Sequence, residues 1–280
     1  MNLVHHPAFW LLALCSGAFA VQAELTVVPD AEPQRLFAGE RCKVAVVLHN
    51  SGQAAFAGAI TAQVFQVTSA TAARLHGSPG KALHVLPGQT VVESVSLWLP
   101  EVMAETGFLI RWLENTQRVC GTTSVRVFPT NLLASLRPLA GEAPPGVFDP
   151  TDQLKPLLRP LDVPFQDLAE DGTDKFTGRL AIFGPFESKQ QMRASLANDI
   201  RALAKRGVAV VWLQAPPGPH DPLRPSFYTV RVSGGTVVVA QARLVARLAE
   251  NPEAQLNLLR LAELALRPAP FDLPDPETSN

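Results

Sequence analysis

Cysteine is scarce in this sequence: three occur in 280 residues, and none follows Cys120. A thiol nucleophile and a thiolate metal site are therefore excluded from the second half of the chain. Excess charge is missing too. Lys and Arg number 24 against 25 Asp and Glu, for a formal net charge of −1 without a basic stripe, so nucleic acid is not an expected partner. His49, His76, His84 and His220 have no paired spacing with carboxylates or cysteines, and no metal site is expected. Gly234-Gly235 lacks the Gly-x-Gly-x-x-Gly and Gly-Lys-Ser/Thr contexts of a phosphate cradle, reads as a hairpin turn, and implies no cofactor.

Lys, Arg, Asp and Glu are absent before Glu24, and only His5, His6 and the amino terminus can carry positive charge there. The run Ala8 to Ala20 is too short for a membrane span, and Val21-Gln22-Ala23 fits a small-x-small cleavage pattern, with Ala18-Phe19-Ala20 as the alternative. Residues 1–23 therefore read as a signal peptide, against the alternative of an uncleaved anchor. Leu14 before Cys15 speaks against a lipoprotein. No later segment has the length of a span, so the expected location is periplasmic or extracellular, with no membrane span after signal removal. In an oxidising compartment the remaining pair, Cys42 and Cys120, is a candidate disulfide. The alternative is two separate buried thiols, because residues starting the second and last strands of a sandwich lie at opposite ends.

What the chain does have is a change of period. In residues 24–129 short strands alternate with turns: Cys42, Val44, Val46 and Leu48 alternate with Lys43, Ala45, Val47 and His49 before Asn50-Ser51-Gly52. Further runs cover Ile60 to Val67, Thr90 to Leu99, Gly107 to Leu113 and Thr122 to Phe128, and Trp98 and Trp112 read as core anchors. Residues 130–145, rich in proline around the apolar piece Leu132 to Leu139, form the junction. In residues 146–267, Asp152 to Leu161 reads as a short helix and Val163 to Leu168 as a strand. Arg179 to Phe183 and Val208 to Leu213 read as buried strands flanking a helix whose apolar positions are Met192, Leu196, Ile200 and Leu203. That order implies a right-handed crossover in a parallel sheet. A hairpin over Phe227 to Val232 and Thr236 to Ala240, then a closing helix from Pro252 to Leu266, complete it. Residues 268–280 read as a disordered tail.

The stretches AGERCKVAVVLHNSGQAAFAGAITAQV, LPGQTVVESVSLWLP and TGFLIRWLE resemble the immunoglobulin-like modules of bacterial exported proteins. The stretches RLAIFGPF, KRGVAVVWLQ and GGTVVVA, with their intervening helices, resemble the class I glutamine amidotransferase-like fold. Together the resemblances imply two domains, an all-β immunoglobulin-like sandwich and an α/β flavodoxin-like domain. In catalytic members of the second family a cysteine stands on a strained elbow after the strand matching Val208 to Leu213. Here Gln214, Ala215, Pro216 and Pro217 follow that strand, and prolines cannot supply the backbone amides of an oxyanion hole.

In a parallel sheet, ligands gather beyond the C-terminal strand ends. Asp149, Glu187, Gln214 and His220 are the candidate ligand-binding residues on that rule. Ser188 or Ser226 with His220 and Asp221 would make a replacement triad, but no spacing fixes a base against a nucleophile. The expected function is a non-catalytic binding or assembly protein of the cell envelope, its partner an envelope protein or a carbohydrate. The alternatives are an exported hydrolase and a carbohydrate-binding accessory protein using the strand-end crevice.

Overall fold

The computed structural model describes residues 23–67, 72–217 and 225–267. Residues 1–22 of the segment read as a signal peptide, His220 and the C-terminal tail lie outside them. The first half is built of β1 (Leu25–Val28), β2 (Gln34–Phe37), β3 (Gly39–Asn50), β4 (Phe56–Val67), β5 (Ala72–Gly77), β6 (Lys81–Val85), β7 (Thr90–Leu99), β8 (Thr106–Glu114) and β9 (Arg118–Phe128). One sheet runs β1-β3-β7 and the other β2-β9-β8-β4-β5, with β6 also paired to β4. Successive side chains on a strand point to opposite faces. Val44, Val46 and Leu48 of β3 accordingly turn inward, while Arg41, Lys43 and Ala45 are exposed. They meet Ile60 and Val64 of β4 and Phe108, Ile110 and Trp112 of β8 in one core shared by both sheets.

Two amides secure the edges of this half. Asn50, wholly buried, donates to the carbonyls of Ala54 (2.8 Å) and Val85 (3.0 Å) and accepts from the N–H groups of Glu24 and Gly52 (3.1 Å each). All its hydrogen-bonding capacity is met, as burial of an amide requires. Pairing of β1 with β3 stops at Val28 opposite Val47. Just beyond, the Gln34 side chain donates to Ala45 O (2.7 Å) and accepts from Ala45 N (3.0 Å), so the backbone there is not left bare.

The second half contains α1 (Leu136–Ala140), β10 (Gly146–Phe148), α2 (Lys155–Leu158), β11 (Gln166–Asp167), β12 (Leu180–Phe183), α3 (Leu196–Lys205), β13 (Ala209–Gln214), β14 (Phe227–Val232), β15 (Gly235–Gln241) and α4 (Pro252–Leu266). Its sheet has the order β11-β10-β12-β13-β15-β14, parallel except for β14. Strand β12 is wholly apolar, and β13 and β15 are apolar through their centres, because both faces are covered. On one face lie Leu133, Leu136, Leu158, Leu258 and Ala262. On the other lie Phe148, Phe183, Phe186, Leu203 and Val237. The proline-rich junction is thus not a bare tether: Leu133, Leu136 and Ala140 are buried in the first of these cores.

Local chemistry sets the ends of these elements. Asn251 caps α4 by accepting from Glu253 N (3.0 Å), with Pro252 in the first turn. The hairpin between β14 and β15 closes as Val232 pairs with Gly235. A Cβ on Gly234 would lie 2.4 Å from Lys205 O, and one on Gly235 would lie 2.6 Å from Val208 O. Close approach to the end of α3, not ligand binding, accounts for both glycines. Lys155 is 6% exposed and its Nζ lies 2.5 Å from Asp167 Oδ2, joining α2 to β11. Burial pushes the Asp167 carboxyl up. The Lys155 ammonium and the N–H groups of Ala169 and Glu170 outweigh it and hold the group below its ordinary value.

The architecture expected from the sequence, an immunoglobulin-like sandwich joined to a flavodoxin-like domain, is not the one adopted. The chain is a mixed fold in which three multi-stranded sheets dominate and only four α-helices occur among the described residues. A doubly wound sheet needs a helix in each parallel crossover. The polar link 168–179 between β11 and β12 has none, and β13 reaches β15 through antiparallel β14. In the first half, β2 runs parallel to β9, and β4 pairs with both β5 and β6. Smaller differences share a cause in proline and turn residues. The helix expected over Asp152 to Leu161 is confined to α2 and a 3-10 turn at Arg159–Leu161, and the strand over Val163 to Leu168 is reduced to β11. The segment from Met192 does not become α-helical until Leu196. Trp112 is fully buried, but Trp98 is 47% exposed and meets His76 with ring centroids 5.0 Å apart.

Candidate functional site

Strands β10, β12, β13 and β15 are parallel, so their C-terminal ends lie along one edge of the sheet. The loops leaving them enclose a cleft of about 720 Å³, within the range of small-molecule sites. Asp152 and Gln153 line it from the loop after β10, Pro185, Phe186 and Glu187 from the turn after β12, and Pro216 from the turn after β13. The segment after β15 adds Arg243, Ala246 and Arg247.

Gly184 makes the rim. Its φ of +96° belongs to a region that L side chains rarely adopt, and a Cβ there would lie 2.7 Å from Leu213 O. The turn it begins ties three strand ends together: Gly184 N–H donates to Phe148 O (2.8 Å) and Phe186 N–H to Leu213 O (3.1 Å). Gly184→Ala should cost on the order of 2–3 kcal/mol in folding free energy. Urea denaturation measures this, and a change within about 0.5 kcal/mol of zero would mean that the rim relaxes freely.

Of the four candidate ligand residues, the cleft takes one. Glu187 lines it, exposed, and its Oε1 accepts from Gln153 Nε2 at 2.7 Å. Asp149 shapes the cleft without lining it. Its buried carboxylate accepts from the N–H groups of Leu154 (2.6 Å) and Lys155 (3.0 Å) and from the Thr151 hydroxyl (3.4 Å), folding the loop that carries Asp152 and Gln153. Gln214 is half-buried within the sheet, in register with Gln241. His220 and Asp221 lie outside the described residues, so the Ser188 and Ser226 alternatives have no described base. Among the described residues no three His, Cys, Asp or Glu side chains gather as metal ligands would.

Sequence reasoning missed Arg243 and Arg247. Ala242–Val245 is a 3-10 turn, and Arg247 sits in left-handed backbone with φ +61°. The available signal was position: both arginines follow the end of a buried parallel strand, where ligands are met.

Neither Cys42 nor Cys120 lies in a disulfide in this structure: Cys42 is half-buried and Cys120 buried. Cys42 donates to the carbonyls of Phe37 (3.1 Å) and Gly39 (3.3 Å), and burial pushes its thiol up. Burial, reinforced by the Glu114 carboxylate, does the same to Cys120. Neither is activated as a nucleophile.

No protein-family model and no curated protein matches the chain. Solved structures match in part. A β-glucosidase from Listeria innocua in complex with glucose is 16% identical, with a TM-score of 0.28 over 38% of this chain and 16% of that one. An alkylpurine DNA glycosylase of Pseudomonas fluorescens, bound to DNA containing an abasic site analog, is 13% identical with a TM-score of 0.29 over 38% and 30%. A β-glucosidase of Bifidobacterium adolescentis is 10% identical with a TM-score of 0.27 over 38% and 17%. The chain covers less than a third of each. Likeness at this level carries no functional argument.

Proposed function

We propose that the chain is an exported, non-catalytic binding protein of the cell envelope whose strand-end cleft receives a carbohydrate-sized ligand. The observation that carries this reading is the lining of the cleft, in which apolar surface stands beside a few polar groups. Asp149, committed to two backbone amides and a hydroxyl, is withdrawn from it, Glu187 accepts from Gln153 at the rim, and Asp152 stands exposed in the lining. This combination suits binding. Pro156, Pro216 and Ala246 present exposed surface to the apolar side of a ring, while Asp152, Gln153 and Arg243 offer acceptors and donors to hydroxyls. Export rests on an opening without Lys, Arg, Asp or Glu and on its small-x-small site.

The test is calorimetric titration of the full chain with a panel of short oligosaccharides, beside Ala246→Trp, which fills the cleft from an exposed position. Saturable binding lost in that variant, with the sugar recovered intact, is the expected result. Turnover of a glycoside abolished by Glu187→Gln would replace this reading with the hydrolase.

A further inference from the structure

A second cavity, of about 550 Å³, lies where the two halves meet, between the start of β3 and the segment preceding α4. Its apolar wall is Leu36, Phe37 and Ala38. Its charged groups are Arg41, Lys43, Arg247 and Glu250. Arg41 and Lys43, on either side of Cys42 in β3, both line the cavity. The register of β3 against β7 shifts between Gly39 and Cys42, an irregularity of the kind that re-aims side chains beside functional sites. From the other half, the left-handed turn at Arg247 brings in a guanidinium whose Nε (3.2 Å) and Nη2 (2.5 Å) both reach Glu250 Oε2.

Three cations therefore face one carboxylate. Arg41 and Lys43 make no ion pair among the described residues, and cations outnumber carboxylates by two among the groups lining the cavity. Cavities walled by apolar groups focus such a field, and guanidinium forks match oxyanion geometry. Glu250 reports the same field: hydrogen bonding and charge from Arg247 lower its carboxyl first, and Lys43 adds to the effect from the opposite wall.

We propose that this junction cavity binds a dianionic oxyanion, of which phosphate is the simplest, between Arg41 and Lys43 on one side and Arg247 on the other. The site shares Arg247 with the strand-end cleft, is otherwise lined by different residues, and does not depend on the function assigned to that cleft. A dianion neutralises the excess charge and ties β3 to the loop before α4, beside the Arg35–Glu253 ion pair (2.7 Å) that already links the halves.

Titration of the full chain with inorganic phosphate, against sodium chloride at matched ionic strength, tests it. Wild type is expected to bind phosphate saturably, and Arg41→Ala with Lys43→Ala to weaken binding about tenfold or more. Glu250→Gln works in the opposite direction. It removes the competing carboxylate and frees Arg247, so phosphate should bind more tightly. Loss of structure produces no such gain, and if the double variant fails to fold, Glu250→Gln alone decides. Phosphate heats no different from chloride, a double variant that binds like wild type, or unchanged or weaker binding in Glu250→Gln each overturns the proposal.

Discussion

Asp167→Asn is expected to lower stability by about 3–5 kcal/mol, because it leaves the Lys155 ammonium buried without its counter-charge. The pair is short, and both side chains are largely withdrawn from water. Removing one partner of such a pair is therefore far costlier than removing both. Lys155→Met combined with Asp167→Leu should recover most of the loss, and the difference appears directly in urea midpoints at neutral pH. The same pair predicts an acid limb. The Asp167 carboxyl is held below its ordinary value in the folded chain. Its stabilising contribution is thus present above the unfolded value of about 3.9 and is lost as pH falls through the lower folded value. In the Lys155→Met, Asp167→Leu chain that part of the decline should disappear. An Asp167→Asn chain as stable as wild type would show that the ammonium finds water or another partner.

The other large effect belongs to the β-rich half. Trp112→Ala is expected to cost about 3–5 kcal/mol, the usual range for emptying a buried aromatic site. Trp112 is completely enclosed, and its Nε1–H donates to the Thr123 hydroxyl at 2.9 Å. Trp112→Phe separates volume from hydrogen bonding. It keeps most of the ring but leaves the buried Thr123 hydroxyl unpaired, for a smaller loss of about 1–3 kcal/mol. Trp112→Phe combined with Thr123→Val should recover part of that loss. Denaturant titration of the four chains reads both terms, and equal losses for Ala and Phe would assign the whole effect to the hydrogen bond.

The elements that could be read in advance are those whose residues repeat one local rule. Alternation in Val44, Val46 and Leu48 marks β3, and the unbroken apolar run from Val208 to Leu213 marks β13. Helical spacing after Pro252 marks α4. Pairing partners were not legible, because the parallel match of Gln34–Phe37 with β9 leaves no trace in the period of either strand. Trp98 shows a different kind of miss. Val95, Leu97 and Leu99 face the core, so the two-residue repeat of β7 itself turns Trp98 outward. Residue type suggested a buried anchor, and register overrode it.

At the site, the position of the crevice followed from the direction of the strands, and Glu187 with it. The role of Asp149 did not. A carboxylate after a strand looks the same in sequence whether it meets a ligand or the amides of Leu154 and Lys155. Arg247 was hidden for a related reason, since the left-handed turn that aims it sits in an arginine- and leucine-rich run that carries no turn signal.

The Gln34 side chain, bonded to both backbone groups of Ala45, acts as a strand one residue long. An unpaired stretch of strand invites any extended chain to add to it. Here the newcomer finds the donor and acceptor already occupied and must evict an amide anchored through β2 in the opposite sheet. The side chain thus guards against self-association along the part of β3 that β1 no longer shields.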